Sequence, residues 1–352
     1  MYLNALGTAL PERRYTKGEC WDAFAASEWF ERLDARSRAI AKIVLTRNNG
    51  IEARRLAVDS LDEVFAIDAD TLQHRFSVHA PRLASDAGRA ALQRAALAPE
   101  AVDAVIVSTC TGYLCPGLTG YVAERLGLRR EALGFDLVGQ GCGGALPNWQ
   151  IASALLDSGQ CEHVLSVCVE VCSAAMYLDD DAGVLISACL FGDGAGAAVL
   201  SRRRAPGRRA VEWRGSVSVT NPAARNFLRF EHREGLLRNV LTREVPKLAA
   251  DHAEEVLNQA LARASIRRDQ ISGWIMHAGG RDVLMALQER LAMDYEALRY
   301  SREALREYGN LSSAFVYFVL DAALRDAAPG GWWWMSSFGA GFTCHGALLA
   351  IE

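Results

Sequence analysis

"DLVGQGCGGALPNWQIASALLDSG", residues 136–159, sets one cysteine, Cys142, inside a glycine cluster directly ahead of an apolar run with helical spacing. A cysteine kept for packing needs no such neighbours, since a free thiol is ordinarily a small buried hydrophobe. Glycine on both sides lets a backbone or a ligand come close to the sulfur. A helix start favours negative charge and lowers a thiol's pKa. Pro147 fits a first helical turn, where a missing N–H is tolerated. The stretch therefore reads as the end of a strand, a nucleophile, and a helix over about 145–158.

Working outward, helical and strand patterns alternate. "AVDAVIVST" (101–109) is a β-branched run typical of a buried strand, "GLTGYVAERLGLRR" has helical spacing, and "EALGFDLVGQ" returns to strand before Cys142. "EHVLSVCVEV" (162–171) and part of "LFGDGAGAAVLSR" are further strands. The Arg/Pro-rich "SRRRAPGRRAVEWRG" (201–215) divides the chain into halves, 1–205 and 206–352. The second half repeats the rhythm. It has a long amphipathic helix in "VPKLAADHAEEVLNQALARAS", a strand "ISGWIMHAGG" ending in His277, and an apolar helix opened by "GNLSSA". Two closing strands follow in "WWWMSSFGAGFTCHGALLAIE". Cys110 to Cys142 is 32 residues and His277 to Asn310 is 33, and in each half the second position opens an apolar helix. We read a duplicated α/β unit that brings Cys142, His277 and Asn310 to equivalent ends of related elements, where ligands gather in open α/β sheets.

Composition narrows the function. With 352 residues, 51% hydrophobic and 23% charged, the chain has the makings of a large globular core. A net charge of −4 gives no basic field for nucleic acid or an anionic membrane. No apolar run approaches a membrane span, and the amino end does not read as a signal peptide. The nine cysteines are odd in number and scattered, with no CxxC pair. That pattern points to reduced thiols in the cytoplasm, and to neither a disulfide framework nor a metal site. Among the seven histidines only His277 combines a strand end with a double glycine, and Asn310 doubles as a possible helix cap. A Cys–His–Asn set serves either papain-type acyl transfer or carbon–carbon bond formation on a thiolate-held acyl group.

"VGQGCGGALPN", "FGDGAGA", "HAGG", "GNLSSA" and "SFGAGFTCHG", in that order, resemble the type III polyketide synthases, the chalcone-synthase-like branch of the thiolase superfamily. The resemblance runs from "NNGIEARRL" (48–56) to the last strand. It implies an α/β fold of five αβαβα layers built from two related halves, in a homodimer. It also implies an acyltransferase that condenses an acyl-CoA with malonyl-CoA and cyclises the product to a resorcinol, phloroglucinol or pyrone. Coenzyme A thioesters would be substrates, with no resident cofactor and no metal. Cys142 would carry the acyl group, with His277 pairing with its thiolate and lowering its pKa. His277 and Asn310 would hold the enolate left by decarboxylation. Phe191 would stand between the coenzyme A tunnel and a cavity lined by Cys110, Thr111, Cys172 and Ser173. Lys42 and Arg47, with Arg54 and Arg55 in reserve, would meet the coenzyme A phosphates if they are not a solvated helix face. Gly279 and Gly280 would flank the coenzyme. Cys115 would cross into the partner subunit's cavity.

Two positions depart from the pattern. Asn239 stands where the family's second aromatic gatekeeper is expected, which would open the cavity to a longer aliphatic starter. Ala340 replaces a proline in the final glycine loop. The initiating ketoacyl synthase of fatty-acid synthesis is the nearest rival, but its histidine leads "HQAN" where this one leads "HAGG". A catalytically inert binding subunit is a third reading, opposed by the intact Cys–His–Asn set.

Overall fold

The computed structural model describes residues 1–352. Nine strands form the framework: β1 (Tyr2–Ala9), β2 (Ala104–Ser108), β3 (Leu133–Leu137), β4 (His163–Glu170), β5 (Gly194–Ser201), β6 (Val211–Thr220), β7 (Ile271–Met276), β8 (Gly331–Gly339) and β9 (Thr343–Ile351). In the first half the order is β1-β5-β4-β2-β3; β5 is antiparallel to β1 and β4, and β2 runs parallel to β4 and β3. In the second half it is β6-β9-β8-β7, with β9 antiparallel to β6 and β8, and β8 parallel to β7. The two halves thus share one pairing pattern, with β3 as the only strand lacking a counterpart. A single register pair, Tyr2 with Glu212, joins them edge to edge.

Two helices, Ala145–Asp157 and Phe315–Arg325, lie between the half-sheets and touch strands of both. They are apolar nearly all round, as a helix covered on both sides must be. Trp149, Phe315 and Tyr317 are fully buried there. Trp149 Nε1 donates to the Tyr317 hydroxyl at 3.0 Å, so burying those two polar tips leaves neither unmet. The helix Ala69–Ala95 covers the outer face of the first half, and Val245–Ala264 with Arg281–Arg290 covers the second. The result is the five-layer αβαβα arrangement.

The Arg/Pro-rich segment is shorter than its composition suggests. Residues 202–210 are irregular, but "VEWRGSVSVT" is β6, an inner strand of the sheet. Its alternation is masked by Arg214 and Gly215, which is why the pattern does not announce a strand. A hairpin of Leu228–Arg233 and Leu236–Leu241 stands apart from the main sheet and reaches over the site described next.

Candidate active site

Cys142 sits in a single 3-10 turn, Gly141–Gly143, feeding the central helix Ala145–Asp157. Gly141 has φ +53°, a left-handed conformation that favours glycine. Gly339 of β8 packs on this turn so closely that a Cβ there would lie 2.1 Å from the Gln140 carbonyl oxygen. The glycines of both segments are therefore the condition for pressing the thiol-bearing turn against the second half. His277 follows β7 and Asn310 precedes the other central helix, so the three residues occupy related places in the two halves.

The side chains are held differently from each other. Asn310 donates Nδ2–H to the Gly279 carbonyl at 2.9 Å and accepts from Ser312 N–H at 2.8 Å. Its amide nitrogen keeps a second hydrogen for a ligand. The Gly279 bond ties Asn310 to the loop that carries His277. His277 is 1% exposed, with the Phe315 and Phe338 rings edge-on at 5.4 and 5.0 Å. Neither of its ring nitrogens has a protein partner. Burial lowers its pKa to about 3, so the resting imidazole is neutral.

The thiol's hydrogen-bond partner is Ser312, whose hydroxyl donates to Cys142 Sγ at 3.2 Å. Burial pushes Cys142 up to about 12; the Ser312 bond lowers it and the nearby Glu170 charge raises it. This corrects two sequence expectations. The helix start does not outweigh desolvation, and the structure contains no His277–Cys142 hydrogen bond. Each group alone resists ionisation, but a thiolate and an imidazolium formed together would offset each other's desolvation in so apolar a place.

Glu170 is the acid that sequence reading missed. It ends β4 fully buried, accepting from Cys110 N–H at 3.0 Å, Thr111 Oγ1 at 2.9 Å and Ser313 Oγ, with the Ser312 hydroxyl oxygen 3.3 Å away. Burial raises its pKa while these donors pull the other way. Asp193 of "FGDGAG" is also buried, accepting from Ala57 N–H at 2.6 Å and from the Ser173 hydroxyl at 2.6 Å, so that motif serves as a structural clamp. Acids at the ends of apolar strands carry no periodic signal.

A chamber of about 60 Å³ opens beside Cys142. Phe191, Asn239, Cys110, Thr111, Cys172, Ser173 and Ala340 all line it, together with Leu56, Met176, Tyr177, Arg229 and Phe230. A larger cavity of about 640 Å³ adjoins it through Cys110, Thr111, Gly141 and Ala340. Asn239 does not leave the room expected of it. Phe230 is its direct cross-strand partner in the hairpin and lines the same chamber, so the missing aromatic is supplied from the facing strand. Cys115 is exposed and lines neither cavity in its own chain.

The cations fall elsewhere than expected. Arg54 is buried, with Nη1 donating to the Ala188 and Phe191 carbonyls, and Arg55 donates to the Pro11 and Glu12 carbonyls. Both are structural. Lys42 lies over the Trp21 ring, outside any groove near His277. Arg47 contributes its carbonyl, 3.3 Å from Lys17 Nζ. The groove that does lie one loop from His277 measures about 430 Å³ and is lined by Lys17, Arg281, Arg302 and Arg306. Gly280 opens its Arg281–Arg290 helix, Arg302 stacks 3.5 Å over Tyr295, and neither Lys17 nor Arg302 pairs with a carboxylate. Arg281 and Arg302 had no motif to mark them.

The profile of the family described as "FAE1/Type III polyketide synthase-like protein" matches residues 63–257, and that of "Chalcone and stilbene synthases, C-terminal domain" matches 216–351. The chain is a type III polyketide synthase. It is 31% identical to a 1,3,6,8-tetrahydroxynaphthalene synthase of Streptomyces peucetius subsp. caesius, over 98% of this chain and 92% of that protein. It is 27% identical to a 3,5-dihydroxyphenylacetyl-CoA synthase of Streptomyces toyocaensis, over 98% of this chain and 88% of the other. The fold of a polyketide synthase from the brown alga Ectocarpus siliculosus superimposes with a TM-score of 0.90 at 24% identity, covering 99% of this chain and 98% of that one. This synthase is therefore an enzyme of decarboxylative condensation, and the initiating ketoacyl synthase reading falls away.

Proposed function

We propose that this polyketide synthase loads an acyl group from a coenzyme A thioester onto Cys142 and extends it with malonyl-CoA. What supports the reading is the bond from Asn310 to Gly279, which ties an amide donor to the loop of the unpartnered His277 imidazole, while Ser312, two residues beyond Asn310, lies 3.2 Å from the thiol. On loading, the Cys142 proton passes to His277 while the sulfur attacks the thioester carbon. Coenzyme A leaves as a thiolate and takes the proton back. Malonyl-CoA then binds with its thioester oxygen toward a His277 N–H and the free Asn310 N–H. Its carboxylate departs as CO2, leaving the electron pair as an enolate whose oxygen those two donors hold. The enolate carbon attacks the acyl carbon on Cys142. The tetrahedral adduct collapses, expels the Cys142 thiolate, and leaves a chain two carbons longer on coenzyme A. Two preorganised donors hold the enolate's charge, and the cycle as written draws on neither metal nor redox cofactor.

The groove of Lys17, Arg281 and Arg302 is the proposed seat of the coenzyme's phosphates, at a helix start as anions prefer. The synthase is proposed to work as a homodimer through the β3 edge. Leu133, Val138 and Tyr113 are 42%, 59% and 67% exposed there, an apolar edge that isolated chains avoid. That contact would carry Cys115 toward the second copy. Nine free cysteines suit a reducing cytoplasm. Purified protein given malonyl-CoA with acyl-CoAs of graded length, its products identified by mass, tests the reading. Products bearing added two-carbon units support it, and unchanged thioesters refute it.

A further inference from the structure

The hairpin over the chamber carries Arg229, Arg233 and Arg238, and the first and last of these keep very different company. Arg238 is fully occupied: Nε is 2.9 Å from Asp179, Nη1 3.0 Å from Glu231 and Nη2 3.2 Å from Asp181. Its guanidinium clamps the hairpin to the loop before residue 182. Arg229 has one carboxylate only, Glu231, 2.9 Å from Nη2, while its Nη1 is buried with no partner. Arg229 lines both the Cys142 chamber and the larger cavity beside it. It is the one charged residue lining the chamber, and no Asp or Glu lines either space. Glu170, the buried acid behind the wall, already accepts from Thr111, Ser313 and the Cys110 amide.

A buried guanidinium N–H without an acceptor is costly, and such groups in folded proteins have partners. The partner that fits is planar and anionic, because the guanidinium fork matches a carboxylate. Arg225 lines the larger cavity together with Arg229, so its charged lining is of one sign and would draw an anion inward. The rest of the chamber is mostly apolar, which strengthens a single charge contact.

We propose that Arg229 receives a carboxylate at the far end of the acyl chain held on Cys142. The synthase would then select starters that are half-thioesters of dicarboxylic acids over fatty acyl groups of equal length. This deepens the function proposed above and rests on acylation of Cys142. Phe230, next to Arg229, bounds the length of chain that reaches it.

The test compares succinyl-CoA with butyryl-CoA, and glutaryl-CoA with valeryl-CoA, pairs matched in length and differing in the end group. The rate of Cys142 acylation is followed by intact-protein mass in the wild type, Arg229→Gln and Arg229→Lys, with melting temperatures as a check on folding. In the wild type the dicarboxylic member of each pair is expected to react at least tenfold faster. Arg229→Gln should bring that ratio close to one by slowing the dicarboxylic member, and Arg229→Lys should keep part of it. A wild-type ratio of one or less, or a ratio untouched by Arg229→Gln in folded protein, overturns the inference. If Arg229→Gln melts early, a reduced preference in well-folded Arg229→Lys still supports the fork and an undiminished preference there counts against it. Failure of all four thioesters to label folded wild type would instead remove the Cys142 reading, and the inference with it.

Discussion

Ser312, two residues beyond Asn310, places its hydroxyl 3.2 Å from Cys142 Sγ and 3.3 Å from Glu170 Oε1. One side chain of the second half thus mediates between the nucleophile and a buried acid of the first half. Its hydrogen is the only one donated to the sulfur from a side chain, in a place where burial alone drives the thiol up. Ser312→Ala removes that donor and leaves Glu170 to repel a forming thiolate. Cys142 labelling by iodoacetamide at pH 8 should slow several-fold, a loss of about 1 kcal/mol for one hydrogen bond. Labelling at the wild-type rate would show that the hydroxyl does not act on the sulfur.

His277 takes the thiol proton in the proposed cycle, and it has no competing partner. In His277→Gln the pH dependence of Cys142 labelling should move upward, because the forming thiolate loses the imidazolium that would offset its desolvation. A profile that stays where the wild type has it would assign the proton to another group.

Both His277 and His345 fold as neutral rings, lowered by burial to about 3 and about 4. The unfolded chain protonates its histidines near pH 6.5, so below that point it binds protons the folded chain refuses. Stability is full above pH 6.5 and falls as the pH drops. At pH 5 each ring costs about 2 kcal/mol. Thermal melts at pH 7.5 and 5 should differ accordingly, and His345→Gln should recover part of the difference. Equal melting temperatures at both pH values would mean these rings are not buried neutral.

Phe230 faces Asn239 across the hairpin and takes the space that an aromatic at 239 would have taken. Phe230→Ala should therefore widen the chamber and shift product masses toward longer starters or further extensions. The ring holds no polar partner, so loading of a short acyl group should be little slowed. The same product spectrum from the variant would place the limit on length elsewhere.

Much of this site was legible in the chain because its chemistry sits where local pattern changes. Cys142, His277 and Asn310 each stand at a strand end or helix start marked by glycine, and the duplicated rhythm predicted their convergence. What stayed hidden depends on contacts between distant segments. Glu170 looks like the polar end of a buried strand until β4 is placed against the Ser312–Ala314 turn of the second half. Phe230 is an ordinary strand aromatic until the hairpin register sets it opposite Asn239. Lys42 and Arg47 rest on the family resemblance, whereas the cationic groove gathers Lys17, Arg281 and Arg302 from three separate segments. Burial also reversed the thiol argument, because a helix terminus contributes at most about 2 kcal/mol against a larger desolvation term.

The central claim divides the work: Cys142 holds the acyl chain, while His277 and Asn310 hold the enolate without needing the thiol. Cys142→Ala tests that division most directly, with acyl adducts followed by intact mass and CO2 release from malonyl-CoA followed in parallel. This variant should form no acyl-enzyme and no extended product yet still decarboxylate malonyl-CoA. An acyl adduct elsewhere in the chain with extension at the wild-type rate would contradict it.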